Sequence, residues 1–115
     1  MTTSPTLASI TFDCTDAVTV ARFWSAALDR PMPDDATSDY VHLAGEPAWS
    51  FIAVPQPTAG KNRVHVDLAL GNGQDRAAEV ERLIALGATK LWDGREGDET
   101  WVTLADPEGN AFCVS

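Results

Sequence analysis

Residues 63–70 read Arg-Val-His-Val-Asp-Leu-Ala-Leu, a stretch in which aliphatic and polar side chains alternate. Alternation with a period of two is typical of a strand that is buried on one face. The valines and Leu68 define the buried face, and His65 and Asp67 project from the other. Gly71 to Gly73 then break the strand. A histidine and a carboxylate on the polar face make this strand the first candidate for a functional surface.

A helix is predicted directly after this strand. Residues 75–86 carry apolar side chains at helical spacing, and Gly87 stands where a left-handed C-terminal cap is expected. The inward positions of this helix are Ala77, Val80, Leu83 and Ile84. Three further strands are predicted at Leu91-Trp92, Thr100 to Leu104 and Ala111 to Val114. The sequence Asp-Pro-Glu-Gly-Asn at 106–110 is a turn between the last two.

The first half of the chain has the same order of elements. Ser9 to Cys14 alternates like a strand, and Thr15 or Asp16 offers an N-cap for a helix. The apolar stripe of that helix consists of Val20, Phe23, Trp24, Ala27 and Leu28. Short strands are predicted at Tyr40 to Leu43 and Trp49 to Val54, and Pro55 to Gly60 is the joint between the halves.

Strand, helix and strands therefore occur twice, which indicates a structural duplication within one α+β domain over residues 1–115. Module one spans about 7–56 and module two about 61–115. The two modules form one domain, because neither half is large enough to stand alone. Aligning the two strand-to-helix junctions places Ser9 opposite His65 and Thr11 opposite Asp67. We expect a curved sheet with helices on its outer face and the polar strand faces lining an inner cup.

Composition excludes several classes of partner. The chain has 115 residues and a formal net charge of −9, whereas nucleic acids and anionic membranes require a basic surface. Residues 1–5 carry neither a basic nor an apolar signal-peptide region, and no apolar run approaches the ~20 residues of a membrane span. We therefore expect a cytoplasmic protein in which Cys14 and Cys113 are reduced thiols.

Four segments resemble the vicinal oxygen chelate superfamily (glyoxalase, bleomycin resistance and dioxygenase proteins), and within it the glyoxalase-like domains. They cover nearly the whole chain in the order of that family. The segments are residues 10–16 with Ala-Arg-Phe-Trp at 21–24, Lys-Asn-Arg-Val-His-Val-Asp-Leu at 61–68, Ala-Leu-Gly-Ala-Thr at 85–89, and Asp-Pro-Glu-Gly-Asn-Ala-Phe-Cys at 106–113.

The resemblance implies two βαβββ modules that form a curved mixed sheet, an open cup or barrel, with the helices outside. It also implies a homodimer and, in the enzymes, one divalent metal that binds two vicinal oxygens of a substrate. The metal ligands of such enzymes are His, Glu or Gln on the first and last strands of each half.

These ligand positions are filled unevenly in this chain. Ser9 and Ile52 stand at the two positions of the first half, and neither completes a metal site. His65 matches the histidine of the second half, and Cys113 stands where a terminal Glu is common. His65 is thus the single metal ligand predicted. No cofactor is expected, although a divalent metal is compatible with His65.

The residues predicted to bind a ligand lie on the inner strand faces. They are Ser9, Thr11, Ile52, His65, Asp67, Trp101 and Cys113. His65 has three functional interpretations: a metal ligand, a general base, or a hydrogen-bond partner for a ligand. Trp92 and Trp101 can wall an apolar pocket or cover a dimer seam, and these alternatives stay open.

Three functional hypotheses follow from the sequence. The first is a glyoxalase-like protein that binds an unidentified small molecule without a complete metal site. The second is a metal-dependent lyase, isomerase or dioxygenase, in which the metal polarises an oxygen of the substrate. The third is a non-catalytic dimeric interaction module. No catalytic residue is assigned from the sequence.

Overall fold

The computed structural model describes residues 7–57, 64–71 and 73–115. The predicted elements at 58–63, which include Lys61 and Arg63, and Asn72 of the glycine turn lie outside the described residues. The chain divides into two compact units, residues 1–57 and 58–115, here called the first and second halves.

The first half contains a three-stranded mixed sheet and one helix. In chain order these are β1 (Ser9–Cys14), α1 (Ala17–Leu28), β2 (Tyr40–Leu43) and β3 (Ala48–Ala53). The strand order is β1-β3-β2, with β1 parallel and β2 antiparallel to β3. The helix begins after Asp16, whose carboxylate accepts hydrogen bonds from the backbone N–H groups of Val18 and Thr19.

One face of this sheet forms the core with α1. Trp24 is fully buried, and its ring centroid lies 4.8 Å from that of Trp49 in an edge-to-face contact. Phe12 stacks on Phe51 with 5.3 Å between ring centroids. Because these aromatic groups occupy alternate strand positions, the other face of the sheet is left to polar side chains.

The second half contains a four-stranded mixed sheet and one helix. In chain order these are β4 (Val66–Leu68), α2 (Arg76–Leu86), β5 (Thr89–Glu96), β6 (Glu99–Ala105) and β7 (Ala111–Val114). The strand order is β4-β7-β6-β5, with β4 parallel to β7 and the other pairs antiparallel. One face of the sheet buries Leu104, Phe112 and Val114.

The helix α2 differs from its predicted apolar face. Val80 and Leu83 are buried as expected, but Ala77 is exposed and Ile84 is 37% exposed. Asp75 is the N-cap of α2, and Gly87, with φ of 127°, is its C-cap. The inward stripe of α2 is therefore narrower than its periodicity indicated. Neither described helix is long and apolar enough to cross a bilayer.

The prediction of an α+β fold with two strand-helix-strand halves is confirmed, with two corrections. In the described residues, the helix of the first half is followed by two strands rather than three, and the strands form two sheets, one in each half, rather than one curved sheet. Strand β4 is shorter than the predicted 63–70. Strand β5 is longer than Leu91-Trp92 because it pairs with β6 from Thr89 to Glu96, with an irregularity in the pairing at Leu91.

The turn between β6 and β7 is organised by one buried carboxylate. Asp106 is only 4% exposed, and its Oδ1 accepts hydrogen bonds from the backbone N–H groups of Glu108 and Asn110, each at 2.9 Å. Its Oδ2 accepts from Asn110 Nδ2, also at 2.9 Å. These bonds join the ends of the two central strands of the sheet.

We expect Asp106→Ala to lower the free energy of unfolding by about 2 kcal/mol, because it leaves partly buried N–H donors without this acceptor. Urea unfolding followed by circular dichroism measures the change. Asp98→Ala, at an exposed position of the β5–β6 turn, is the matched control and should shift the midpoint little. Equal effects of the two substitutions would contradict the role assigned to Asp106.

Candidate functional site

A row of four side chains crosses the polar face of the second sheet. Asp67 on β4 lies beside Cys113 on β7, Cys113 lies beside Thr103 on β6, and Thr103 lies beside Trp92 on β5. Paired residues on neighbouring strands project to the same side of a sheet. The pairing register therefore brings together residues that are far apart in the sequence.

A cavity of about 430 Å³ lies over this row. All four residues of the row line it, and His65, Glu99 and Trp101 extend its lining beyond the row. The remaining lining residues are Thr100, Ala111 and Ser115. Every described lining residue belongs to the second half, so this half forms the cavity from its own strands.

Three side chains with atoms of metal-ligand type meet at one end of the cavity. One ligand atom each from His65, Asp67 and Cys113 lies within 4.8 Å of the others. The histidine and the aspartate are exposed, and Cys113 is half-buried with its Sγ 3.5 Å from Thr103 Oγ1. The polar end of the cavity thus offers a nitrogen, a carboxylate oxygen and a thiol sulfur.

The other end of the cavity is aromatic. Trp101 on β6 pairs with Gly94 on β5. This is the next pair on the same face of the sheet after the pair of Thr103 and Trp92. A Cβ atom at Gly94 would lie 2.1 Å from Cε2 and Nε1 of the Trp101 indole. The indole therefore lies directly across the neighbouring strand, in space that exists because residue 94 has no side chain.

The sheet of the first half carries a second polar cluster. Ser50 Oγ lies 2.8 Å from Ser9 Oγ and 3.0 Å from His42 Nδ1, and it accepts a hydrogen bond from the Tyr40 hydroxyl at 3.3 Å. Ser50 is 3% exposed, whereas Tyr40 is 46% exposed and His42 is also exposed. The exposed His42 is thus anchored to the sheet through one ring nitrogen.

The structure separates the predicted ligand-binding residues into two groups. His65, Asp67, Trp101 and Cys113 line the cavity of the second half. Ser9, Thr11 and Ile52 lie on the sheet of the first half, where Ser9 contacts Ser50 and Ile52 is 39% exposed. Each group is coherent in its own sheet.

Sequence reasoning missed several members of both groups. Thr103 and Glu99 line the cavity, and Ser50 and Tyr40 belong to the cluster of the first half. Thr103 and Ser50 alternate with apolar neighbours on their strands, which is a usable signal, whereas Glu99 has polar neighbours on both sides. The pairing register was the missing information, because it alone says which polar positions become neighbours.

A family model described as a glyoxalase-like domain matches residues 9–115. The chain belongs to the glyoxalase-like domain family. A search of curated proteins returned no significant match. The predicted resemblance to the glyoxalase, bleomycin resistance and dioxygenase superfamily is thereby confirmed.

Solved structures with this glyoxalase-like fold share little sequence with the chain. A glyoxalase/bleomycin resistance protein/dioxygenase family enzyme from Burkholderia phytofirmans PsJN has a TM-score of 0.79 and 18% identity over 96% of this chain and 97% of its own. A glyoxalase-related enzyme from Fulvimarina pelagi has a TM-score of 0.76 and 17% identity over 96% and 87%. These likenesses establish the fold.

A third neighbour carries a small molecule. It is the bleomycin-binding protein of Streptomyces verticillus, whose structure is a complex with copper(II)-bleomycin. The TM-score is 0.63, with 13% identity over 99% of this chain and 98% of that protein. The similarity again concerns the fold of the two chains.

We expect Gly94→Ala to displace the Trp101 indole in this glyoxalase-like chain and to cost about 1–3 kcal/mol of stability, because the new methyl group overlaps the ring. Near-ultraviolet circular dichroism reports the ring movement, and thermal unfolding reports the cost. Gly71→Ala is the control, since its Cβ would meet only the end of the Gln74 side chain. An unchanged tryptophan signal in Gly94→Ala would refute this packing.

Proposed function

We propose that this glyoxalase-like chain binds a small molecule in the cavity of the second half, and that binding requires no metal. The carrying observation is the cavity itself, with tryptophan side chains at one end and polar side chains at the other. Ligand sites of this size are commonly lined by aromatic groups with a few polar groups that fix orientation.

The cavity has the features that give a site both affinity and selectivity. Trp92 is 46% exposed and Trp101 half-buried, so both have apolar surface that a ligand would remove from water. Thr103 and Cys113 form a hydrogen-bonding floor between the tryptophans and the end that contains His65 and Asp67. The bleomycin complex of the Streptomyces verticillus neighbour is a precedent for small-molecule binding on this fold.

A fragment screen by thermal shift in the presence of EDTA tests the proposal. We expect fragments with aromatic rings to raise the melting temperature of the wild-type protein, because a ligand that binds the folded state stabilises it. We expect Trp92→Ala to lose most of that shift, since the substitution removes one wall of the cavity.

The matched control for this screen is Leu91→Ala. Leu91 is the sequence neighbour of Trp92, is similarly exposed at 41%, and is not a lining residue of the cavity. Its substitution should leave the ligand shift intact. Fragments that still stabilise Trp92→Ala would contradict binding at this cavity. Fragments that bind only when metal is added would contradict binding without metal.

A metal-dependent activity is the second candidate, and the cluster of His65, Asp67 and Cys113 favours it. Imidazole nitrogen, carboxylate oxygen and thiolate sulfur are all zinc ligands, and catalytic zinc sites commonly use three protein ligands. The donor set therefore fits a divalent metal of this kind. The three residues would hold the ion in the second half without Ser9 or Ile52.

A metal held there would supply Lewis-acid polarisation of a ligand oxygen. The chain's own residues have separate tasks in either candidate function. Thr103 fixes the Cys113 side chain through their 3.5 Å contact, and the tryptophan walls orient an aromatic ligand across the sheet. A lyase, isomerase or dioxygenase reaction is the class of chemistry that this second candidate entails.

Metal stoichiometry decides between the two candidates. If the second is correct, protein loaded with Zn²⁺ and desalted retains about one ion per chain, and His65→Ala and Cys113→Ser each abolish retention. Cobalt loading should then give a thiolate-to-metal charge-transfer band that Cys113→Ser removes. Ser9→Ala is the control that should retain the ion. Negligible metal in the wild-type protein would eliminate this candidate.

Homodimer formation and a cytoplasmic location stay predictions from the sequence and from the family resemblance. A non-catalytic interaction module is the remaining alternative function. Light scattering coupled to size-exclusion chromatography tests the dimer. A monomer that still binds fragments at the cavity would remove the interaction-module alternative.

A further inference from the structure

We infer that the cavity of the second half takes a planar organic cation, an aromatic ring system that carries a positive charge. This inference rests on the proposed function, because it names the ligand class of the same cavity. Three observations carry it: the sign of the charged groups, the position of the tryptophan rings, and the spacing between the two.

The charge of the lining favours a cation. Asp67 and Glu99 both line the cavity and both are exposed, and within the described part of the chain no lysine or arginine lines it. The formal net charge of −9 adds long-range attraction for a positive ligand. An anion entering this cavity would meet two carboxylates, so charge selects against it.

The tryptophan rings favour a planar ligand. Trp92 and Trp101 lie on successive same-face pairs of β5 and β6, and Gly94 leaves space for the Trp101 indole to lie across β5. The faces of indole rings attract cations within about 6 Å and stack on other aromatic rings. A charged ring system uses both properties at once, whereas an aliphatic cation uses one.

The distance between the carboxylates and the tryptophans favours a ligand that carries its positive charge on the ring system itself. Glu99 precedes Trp101 by two residues on β6 and projects to the same face, so the two side chains start about 7 Å apart. Asp67 lies at the far end of the row, three strands away from Trp92, or about 14 Å. A ring stacked on the tryptophans therefore carries its charge close to Glu99, and any extension of the ligand points toward Asp67.

Three probes with the same ring system test the ligand class. They are N-methylacridinium, acridine at mildly alkaline pH where it is neutral, and acridine-9-carboxylate. Titration calorimetry in EDTA measures the dissociation constant of each. We expect the cation to bind at least about tenfold more tightly than neutral acridine, with an advantage that shrinks in high salt. The anion should bind most weakly.

Charge-removing variants locate the effect. Glu99→Gln should weaken the cation about threefold to tenfold and leave neutral acridine unchanged, whereas Asp67→Asn, about 14 Å from the stacked ring, should weaken the cation less than Glu99→Gln does. Glu81→Gln removes the same charge from α2, outside the lining of this cavity, and should alter neither constant. Trp101→Ala should weaken all three probes, because every probe stacks on the same ring.

The outcomes separate the ligand class from the proposed function. If neutral acridine or the anion binds as tightly as the cation and Trp101→Ala weakens it, the function stands and the inference is overturned. Equal weakening by Glu81→Gln and Glu99→Gln also overturns it, since the attraction would then be unspecific. If no probe binds in a manner that depends on Trp101, the inference fails, and the fragment screen with Trp92→Ala decides the proposed function separately.

Discussion

Side chains alternate between the two faces of a β-strand, and the sheet of the second half depends on that constraint. Residues such as Leu104, Phe112 and Val114 must face the core, because each is buried and apolar. Their strand neighbours are then forced onto the opposite face, where Thr103 and Cys113 lie side by side. The cavity is a consequence of how the core is packed, and a one-residue slip of any strand would dismantle both together.

The alternation of side chains along a strand also determines which features of this half could be predicted from the sequence. Strand β4 and the orientation of His65 and Asp67 could be predicted because alternation is written in one short stretch. The proximity of Asp67 to Cys113 could not be predicted, since it depends on the parallel pairing of two strands whose partners are 46 positions apart in the chain. Exposure of Ile84 was missed for a related reason. Periodicity gives the direction of a side chain on its helix, and the area covered by the opposing sheet gives its burial.

The family resemblance and the residues carry different kinds of information about this chain. Membership in the glyoxalase-like family accounts for the strand-helix-strand order of each half. Of the ligand positions that the resemblance implies, Ser9 and Ile52 carry no metal ligand, while the second half brings Asp67 and Cys113 close to His65. Fold similarity at 18% identity or less cannot transfer a site, because function depends on side chains that the fold leaves free to vary.

The cluster around Ser50 in the first half has a consequence for proton order. A hydroxyl has one proton and two lone pairs, so its contacts with Ser9, Tyr40 and His42 use its whole capacity. The Tyr40 hydroxyl donates a hydrogen bond to Ser50. When His42 Nδ1 carries no proton, it accepts a hydrogen bond from the Ser50 hydroxyl, and the Ser9 hydroxyl must then donate to Ser50. A protonated Nδ1 reverses both bonds and frees the Ser9 hydroxyl proton for the Ile10 carbonyl oxygen, 3.5 Å away. The tautomer of the exposed His42 imidazole thus sets the direction of the hydrogen bond between the buried Ser50 and Ser9 on β1, with no heavy atom required to move.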